Sequence, residues 1–460
     1  MATAAGFCSG VSESVFRGSK MDCLDSNVYT YVMVACTRCL AVFTTNQSLK
    51  RHEARKNPCK AASSPPIKLH PFTFIDLFSG VGGFHTALTS LGGTCVLACD
   101  IDRACRQVYE ANYGLRPHDD VTTLKTDDIP DFDVLCAGFP CQAFSHAGRQ
   151  EGFEDIRGTL FMHVVRILRD KRPKYFLLEN VKNLTSHDHG NTWKVIRDHL
   201  RAAGYATPDT PLVLSPHQYG IPQHRERVYI MGVRNDLPTV MPFEKPGKHE
   251  CSLHSILDPT CTDSTLALSD TDVEMLNAWD EMVGHFKAAA VKLPTFPIWT
   301  DVWDSTENLD DLPAWKRKFI EQNQGFYRTH QTFLGPWLVR ARALPGFVGN
   351  KRKFEWQAGA FKNDDSVWTM IFVFRPSGVR IKRPTYAPTL VAMAQIPIIG
   401  SLRRRMSPRE VARLQSFPDT FQLPDKKSVS YKQFGNSVNV EVVKRVAFHM
   451  ISGTAAQMCA

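Results

Sequence analysis

The chain has 460 residues, 43% hydrophobic and 22% charged, with 55 Lys and Arg against 46 Asp and Glu, and 13 cysteines. This balance describes a globular protein with room for two or three domains, and it argues against a fibrous or mainly disordered chain. No apolar run approaches about 18 residues, so no membrane-spanning helix and no membrane partner are expected; the odd, irregularly spaced cysteines exclude a disulfide framework and fit a reducing, intracellular compartment.

The surplus of +9 is concentrated in two places. Cys36 to Lys60 holds six basic residues and one acid, and Phe374 to Arg413 holds nine and one. Those two segments exceed the whole surplus, so the remainder is acidic. Localised patches of this kind are the footprint of a polyanion-binding protein, although a solvated basic face would look the same.

Residues 1–35 are rich in Ala, Ser and Gly without periodicity and read as a disordered tail. In 36–60, Cys36 and Cys39 are followed after twelve residues by His52 and after six more by Cys59. Two thiolates, an imidazole and a third thiolate at such spacing suit a structural Zn²⁺, with Phe43 and Leu49 filling a small core. The last ligand is Cys where the common finger has His, and its six-residue gap is one longer than the common three to five; coincidence is the competing reading. The run Lys50 to Lys56 would lie on the finger's helix and meet phosphates. Residues 61–70, with Ser-Ser-Pro-Pro, read as a linker.

From 71 to 235, strand-like runs alternate with helical stretches. The runs are Phe72–Phe78, Cys95–Cys99, Phe132–Ala137, Tyr175–Leu178 and Arg227–Val233, and Thr159–Arg169 is a helix of the series. Alternation of this kind predicts an open, mostly parallel α/β sheet. Residues 236–399 break the rhythm and hold seven of the eight tryptophans, which predicts an irregular second domain with those rings in its core. Residues 400–460 return to helix, beginning at Ser407-Pro408-Arg409-Glu410.

The first strand closes on Asp76-Leu-Phe-Ser-Gly80-Val-Gly82-Gly83. Glycines there let a ligand approach the backbone at the positive end of a helix. The second strand ends in Asp100, a carboxylate placed to accept hydrogen bonds from ribose hydroxyls, and Asp119-Asp120-Val121 supplies a third acidic end. Gly138-Phe139-Pro140-Cys141-Gln142 follows the third strand and places a thiol at the ligand edge of the sheet. Glu179-Asn180-Val181 ends the fourth, and Gln223-His224-Arg225-Glu226-Arg227 adds arginines able to pair with carboxylate or phosphate.

This ordered set, with Pro408-Arg409-Glu410 and Gln433-Phe-Gly-Asn-Ser-Val438, resembles the C5-cytosine DNA methyltransferase family, bacterial restriction-modification type enzymes above all. The likeness covers about residues 71–235 and 385–450. It implies a Rossmann-like S-adenosylmethionine-dependent sheet, a target-recognition domain at 236–399, and double-stranded DNA as partner of a monomeric enzyme. The zinc finger stands outside the family pattern. The resemblance further implies that Cys141 attacks cytosine C6, with Glu179, Arg225 and Arg227 around the flipped base. The cofactor would be held by Phe78, Gly80, Gly82, Asp100, Ile101, Asp120, Val121, Pro140, Leu160, Asn436 and Val438. Ser145–Gly158 matches the family's closing loop, Thr389 of Pro388-Thr389-Leu390 would sit near the flipped base, and Arg403, Arg404 and Arg405 would meet DNA. Location follows the host: the nucleus of a eukaryote, otherwise the cytoplasm, nucleoid or a virus-infected cell. Two alternatives stay open. An RNA (tRNA) cytosine-5 methyltransferase would carry Pro-Pro-Cys and a Cys-Phe-Thr tripeptide, where this chain has Phe139-Pro140-Cys141 and no such tripeptide. A non-catalytic DNA-binding module would have lost Cys141, Glu179 or the glycine turn.

Overall fold

The computed structural model of the chain describes residues 69–140, 160–238, 260–390 and 395–458, most of 243–258, and two dipeptides nearer the start. The chain divides into the compact units Met1–Lys68 and Leu69–Ala460. In the first unit, β1 (Val34–Ala35) pairs antiparallel with β2 (Val42–Phe43), Val34 opposite Phe43. The expected ligands Cys36, Cys39, His52 and Cys59, together with Cys141 and the 145–158 loop of the second unit, lie outside the described residues.

The second unit is built on a seven-stranded sheet. Its parallel part comprises β3 (Phe72–Leu77), β4 (Gly93–Cys99), β5 (Val134–Ala137) and β6 (Tyr175–Val181). Then β7 (Tyr205–Ala206) and β8 (Leu212–Leu214) pair antiparallel with β9 (Arg227–Arg234), itself antiparallel to β6. The order β4-β3-β5-β6-β9-β7 puts β4 on one side of β3 and β5 on the other. Chain reversal of this kind opens a crevice at the carboxyl ends of the strands. The predicted runs are therefore strands, each with one end adjusted by one to three residues. β3 stops before Phe78 because that residue turns to φ 54°, and β6 continues through Glu179 to Val181.

Side chains along these strands alternate between two cores, as the period of a pleated strand requires. Phe74, Val134, Cys136, Leu177 and Met231 enter one, where they meet the helix Gly83–Thr89 and the C-terminal helix Val440–Met458. Ile75, Leu135, Phe176, Leu178 and Ile230 enter the other, under the helices Leu160–Lys171 and Asn191–Ala202.

The tryptophan-rich region is more regular than its sequence suggests. It contains the helices Asp270–Ala288, Ala314–Thr329 and Gln331–Arg342. Its sheet is mixed: β10 (Ile298–Trp299), β11 (Lys353–Trp356), β12 (Ile371–Arg375), β13 (Gly378–Lys382), β14 (Ile398–Ile399) and β15 (Arg404–Arg405), ordered β10-β11-β13-β12-β14-β15. Trp279, Trp303, Trp337 and Trp356 do form its core, whereas Trp315 is 73% exposed. Because β15 closes this sheet, the C-terminal part begins inside it rather than at residue 400.

Arg404 does not face a polyanion, contrary to expectation. It is buried and makes a two-pronged ion pair with Glu410, Nη1 to Oε2 at 2.8 Å and Nη2 to Oε1 at 2.7 Å. Glu410 also accepts from the backbone N–H of Asp258 (2.9 Å) and of Ser407 (2.7 Å), the latter half of the capping box that starts the helix Pro408–Leu414. Burial alone would raise the Glu410 pKa, but Arg404 and the two N–H donors outweigh it and hold the carboxyl below its ordinary value. Glu410→Ala leaves a buried guanidinium unpaired and should cost about 3–5 kcal/mol in urea unfolding; an unchanged midpoint contradicts this. Since the folded-state pKa is the depressed one, the stabilisation is present above the unfolded carboxyl's pKa and is lost as pH falls through the folded value.

Candidate active site

A cleft of about 590 Å³ opens at the carboxyl ends of the parallel strands. Its floor is the turn after β3. Phe78, Gly80 and Gly82 all take positive φ (54°, 53° and 85°), which brings the backbone round to start the helix at Gly83. A methyl group on Gly82 would strike the Tyr113 ring at 2.3 Å, and one on Gly83 would lie 2.6 Å from Val438 Cγ2. Glycine at 83 is thus what lets the Asn436–Val438 loop close against the turn.

Asp100, at the end of β4, accepts from Gly80 N at 2.7 Å and from Asp102 N at 2.8 Å. Burial raises its pKa, partly offset by those two backbone donors. Each carboxylate oxygen retains a second lone pair for a sugar hydroxyl. Beside it Ile101 is 79% exposed, an apolar side chain that a bound purine would cover. The buried hydroxyl of Ser79 has no partner among the described residues. An unsatisfied buried donor, an uncovered apolar side chain and a free acceptor edge on one cleft suit a nucleoside with a polar tail, so the donor set fits S-adenosylmethionine.

The opposite wall carries the acid. Glu179 lies two residues before the end of β6 and is buried; burial raises its pKa, with Arg227 and then Arg225 pulling the other way. Arg227 Nε stands 3.3 Å from Glu179 Oε1. A methyl group on Gly138 would lie 3.9 Å from Glu179 Oε2 and equally far from Val438, so acid, cofactor wall and the Gly138–Pro140 segment converge. Asn180, buried next to the acid, donates from Nδ2 to the Phe139 carbonyl at 3.1 Å and accepts from Val181 N at 2.8 Å. It pins the chain two residues before Cys141.

Arg225 plays a different part from the catalytic one expected. It is 2% exposed, and its guanidinium donates to the carbonyls of Leu390 (2.9 Å) and Ser437 (3.0 Å). Burial and the nearby Arg227 pull its pKa down to about 9, which leaves it charged at neutral pH. Nη1 and Nη2 thus brace backbone carbonyls, a positioning role, while the buried Nε has no partner among the described residues. Thr389 likewise donates to the His224 carbonyl at 2.7 Å, so the Pro388-Thr389-Leu390 segment is stitched to the Gln223–Arg227 segment.

Phe78, Gly80, Asp100, Ile101, Pro140, Glu179, Arg225, Arg227, Asn436 and Val438 therefore share one cleft. Gly82, Asp120, Val121 and Leu160 do not border it. Gly82 backs on Tyr113, Asp120 accepts from Thr122 N at 2.8 Å as a turn cap, Val121 is core, and Leu160 packs beneath the sheet. Sequence reasoning assigned no role to Ser79, Asn180, Asp102 or Lys432. The Asp102–Lys432 ion pair (2.9 Å) joins the two rims of the cleft across 330 residues, which no local pattern could signal. Asn180 stood inside a block already recognised.

The fold and cleft define a methyltransferase of the S-adenosylmethionine-dependent class. A family model of C-5 cytosine-specific DNA methylases matches residues 72–452. The chain is 32% identical over 477 residues to the type II methyltransferase M.AluI of Cellulosimicrobium cellulans, covering 82% of this chain and 91% of that one. It is 34% identical over 377 residues to M.HhaI of Haemophilus parahaemolyticus, covering 82% and 93%. A solved structure of the Entamoeba histolytica methyltransferase EhMeth shares the fold at TM-score 0.50 and 15% identity, over 84% of this chain and 99% of that one. The chain belongs to the C-5 cytosine-specific DNA methylase family and is an S-adenosylmethionine-dependent DNA (cytosine-5)-methyltransferase.

Gly83→Ala forces the Val438 loop away from the turn, and overpacking of this kind costs about 1–3 kcal/mol. Calorimetric titration with S-adenosylmethionine should show affinity reduced roughly tenfold; wild-type affinity would remove Val438 from the binding wall.

Proposed function

We propose that the cleft methylates a cytosine flipped out of double-stranded DNA through a covalent adduct with Cys141. The observation that carries this reading is the buried Glu179, held in an ion pair with Arg227 beside the Gly138–Pro140 segment that leads directly into Cys141. Cytosine C5 is too poor a nucleophile to take a methyl group unaided. The Cys141 thiolate adds at C6, and the ring's π electrons move toward N3. Glu179, its proton affinity raised by burial, hydrogen-bonds N3 and the exocyclic amine and offsets the charge that develops there. Arg227 contacts the base carbonyl oxygen and orients Glu179. C5 of the resulting enamine is then nucleophilic, and S-adenosylmethionine, when bound, supplies the methyl group it takes. Loss of the C5 proton to a base returns the electron pair and expels the thiolate. Phe78, Gly80, Asp100, Ile101, Pro140, Asn436 and Val438 hold the cofactor. Arg225 keeps the walls in register. No atom involved is reachable in a stacked duplex, so the base must leave the helix.

Residues 236–399 read the DNA sequence in this account, with Thr389, Arg403 and Arg405 at the DNA. The enzyme works as a monomer. The N-terminal segment carries a Cys₂-His-Cys zinc site on Cys36, Cys39, His52 and Cys59. Its support is the antiparallel pairing of β1 with β2, which puts Cys36 and Cys39 in the connection between two strands, as in small ββα zinc modules.

Wild-type protein incubated with labelled cofactor should methylate duplex DNA and leave transfer RNA unlabelled. A duplex with 5-fluorocytosine at the target, whose C5 has no proton to lose, should trap a complex stable to denaturation. Cys141→Ser should abolish both transfer and trapping while S-adenosylmethionine still binds; turnover near wild-type would exclude Cys141 as nucleophile. Metal analysis should find about one zinc per chain, lost in Cys39→Ser; zinc-free intact protein sinks that part.

A further inference from the structure

The second basic segment is only partly free. Five of its nine cations are committed inside the protein: Arg380 to Glu355, Arg383 to Asp365, Arg404 to Glu410, Arg413 to Asp419, and Arg409 to the Phe421 carbonyl. Of the other four, Arg403 lies over the Trp368 ring and Arg405 Nη1 reaches the Ala267 carbonyl at 3.5 Å, while Arg375 and Lys382 stand on neighbouring strands. Strand alternation sends Phe354, Trp356, Phe372, Val379 and Ile381 into the tryptophan core, so the opposite face of β11, β12 and β13 carries Glu355, Arg375, Arg380 and Lys382. Ile371, on that same face, belongs to the core of the catalytic sheet. The cations thus stand on the side of the recognition sheet that looks toward the catalytic half.

They line a small cavity of about 140 Å³ with Thr389 and Gln395. No acid lines it among the described residues; Glu355, on the same sheet face, is already taken by Arg380 at 2.7 Å. Arg375 Nε donates to Gln395 Oε1 at 3.2 Å, which aims the guanidinium without neutralising it. Burial, and then Arg380 and Arg375 in turn, pull the Lys382 pKa below its ordinary value; burial and Arg380 do the same to Arg375. Three crowded cations with one carboxylate are a site short of negative charge.

We infer that this cavity seats a backbone phosphate of the DNA duplex near the target cytosine. A base edge is neutral and would leave the repulsion among Arg375, Arg380 and Lys382 in place. A phosphodiester brings a full charge and several acceptor oxygens. Its position follows from Thr389, which borders the cavity and is bonded to the His224 carbonyl, one residue before Arg225 on the catalytic wall. The inference rests on the DNA methyltransferase reading, which the wild-type labelling reaction checks separately.

The test is the salt dependence of duplex binding by the full-length protein, from about 50 to 200 mM salt, on a methylatable duplex and a scrambled one. Lys382→Met and Arg375→Met should each weaken both duplexes alike, severalfold at low salt. Each should also flatten the slope of log K against log salt by about 0.9, one phosphate contact. Lys382→Arg should restore slope and affinity. An unchanged slope overturns the proposal, because the cations are then a solvated face. A loss confined to the methylatable duplex at constant slope also overturns it, in favour of base reading. Affinity for S-adenosylmethionine, bound at the other sheet, reports that each variant is folded; should one fail to fold, the other and the Lys382→Arg control decide. A wild-type protein that methylates no duplex DNA would instead undo the enzyme reading, whatever the slopes.

Discussion

The site depends on one buried guanidinium. Arg225 reaches the Leu390 carbonyl, 165 residues away in sequence, and the Ser437 carbonyl, 212 residues away, from a strand-proximal segment that also faces Glu179. Burying a charge so deeply is costly unless its donors are matched. Here the acceptors are main-chain oxygens of two segments that would otherwise be free to separate. The Asn436–Val438 wall of the cleft, the segment around Leu390 and the segment beside the acid's strand meet at that side chain. Removing it would leave two buried carbonyls and an unbalanced Glu179, so its exchange would disturb binding and chemistry together.

Around this anchor the molecule divides its polar groups by task. Asn180 and Asp100 are committed to backbone N–H and C=O groups and fix loop geometry. Glu179 has the Arg227 ion pair, and burial raises its proton affinity against the pull of Arg227 and Arg225. Glu410 shows the contrary use of the same side chain: two N–H donors and a two-pronged arginine favour its ionised form, as a girder between the six-stranded sheet and the C-terminal helices. Geometry, not residue type, separates the two carboxylates.

Much of this was legible in the chain. Apolar runs alternating with helical stretches marked five strands, and the glycine turn, Asp100 and Glu179 stood at their carboxyl ends, where topology directs ligands. Ser407 and Glu410 announced a helix start through local hydrogen bonding alone. What escaped was long-range. No local pattern distinguishes Arg404, turned inward onto Glu410, from Arg403 and Arg405 on either side of it. Arg225 and Arg227 read alike in sequence, yet one braces carbonyls and the other faces the acid. Tryptophan content located the second core correctly but concealed a six-stranded sheet, because its strands are short and joined by turns that obscure the alternation.

The helix Val440–Met458 packs on the helix Gly83–Thr89, and Val438, just before it, fills the space that Gly83 leaves open. This has a consequence for biosynthesis. A chain emerging from the ribosome completes every strand of its central sheet about two hundred residues before the residues that close the cofactor pocket appear. Until then one core lacks its covering helix and the glycine turn has nothing to close against. A nascent chain that stops short of Val438 therefore carries the acid and the thiol but no sealed place for the methyl donor, and the competence to modify a genome arrives only with Val438 and the helix that follows it.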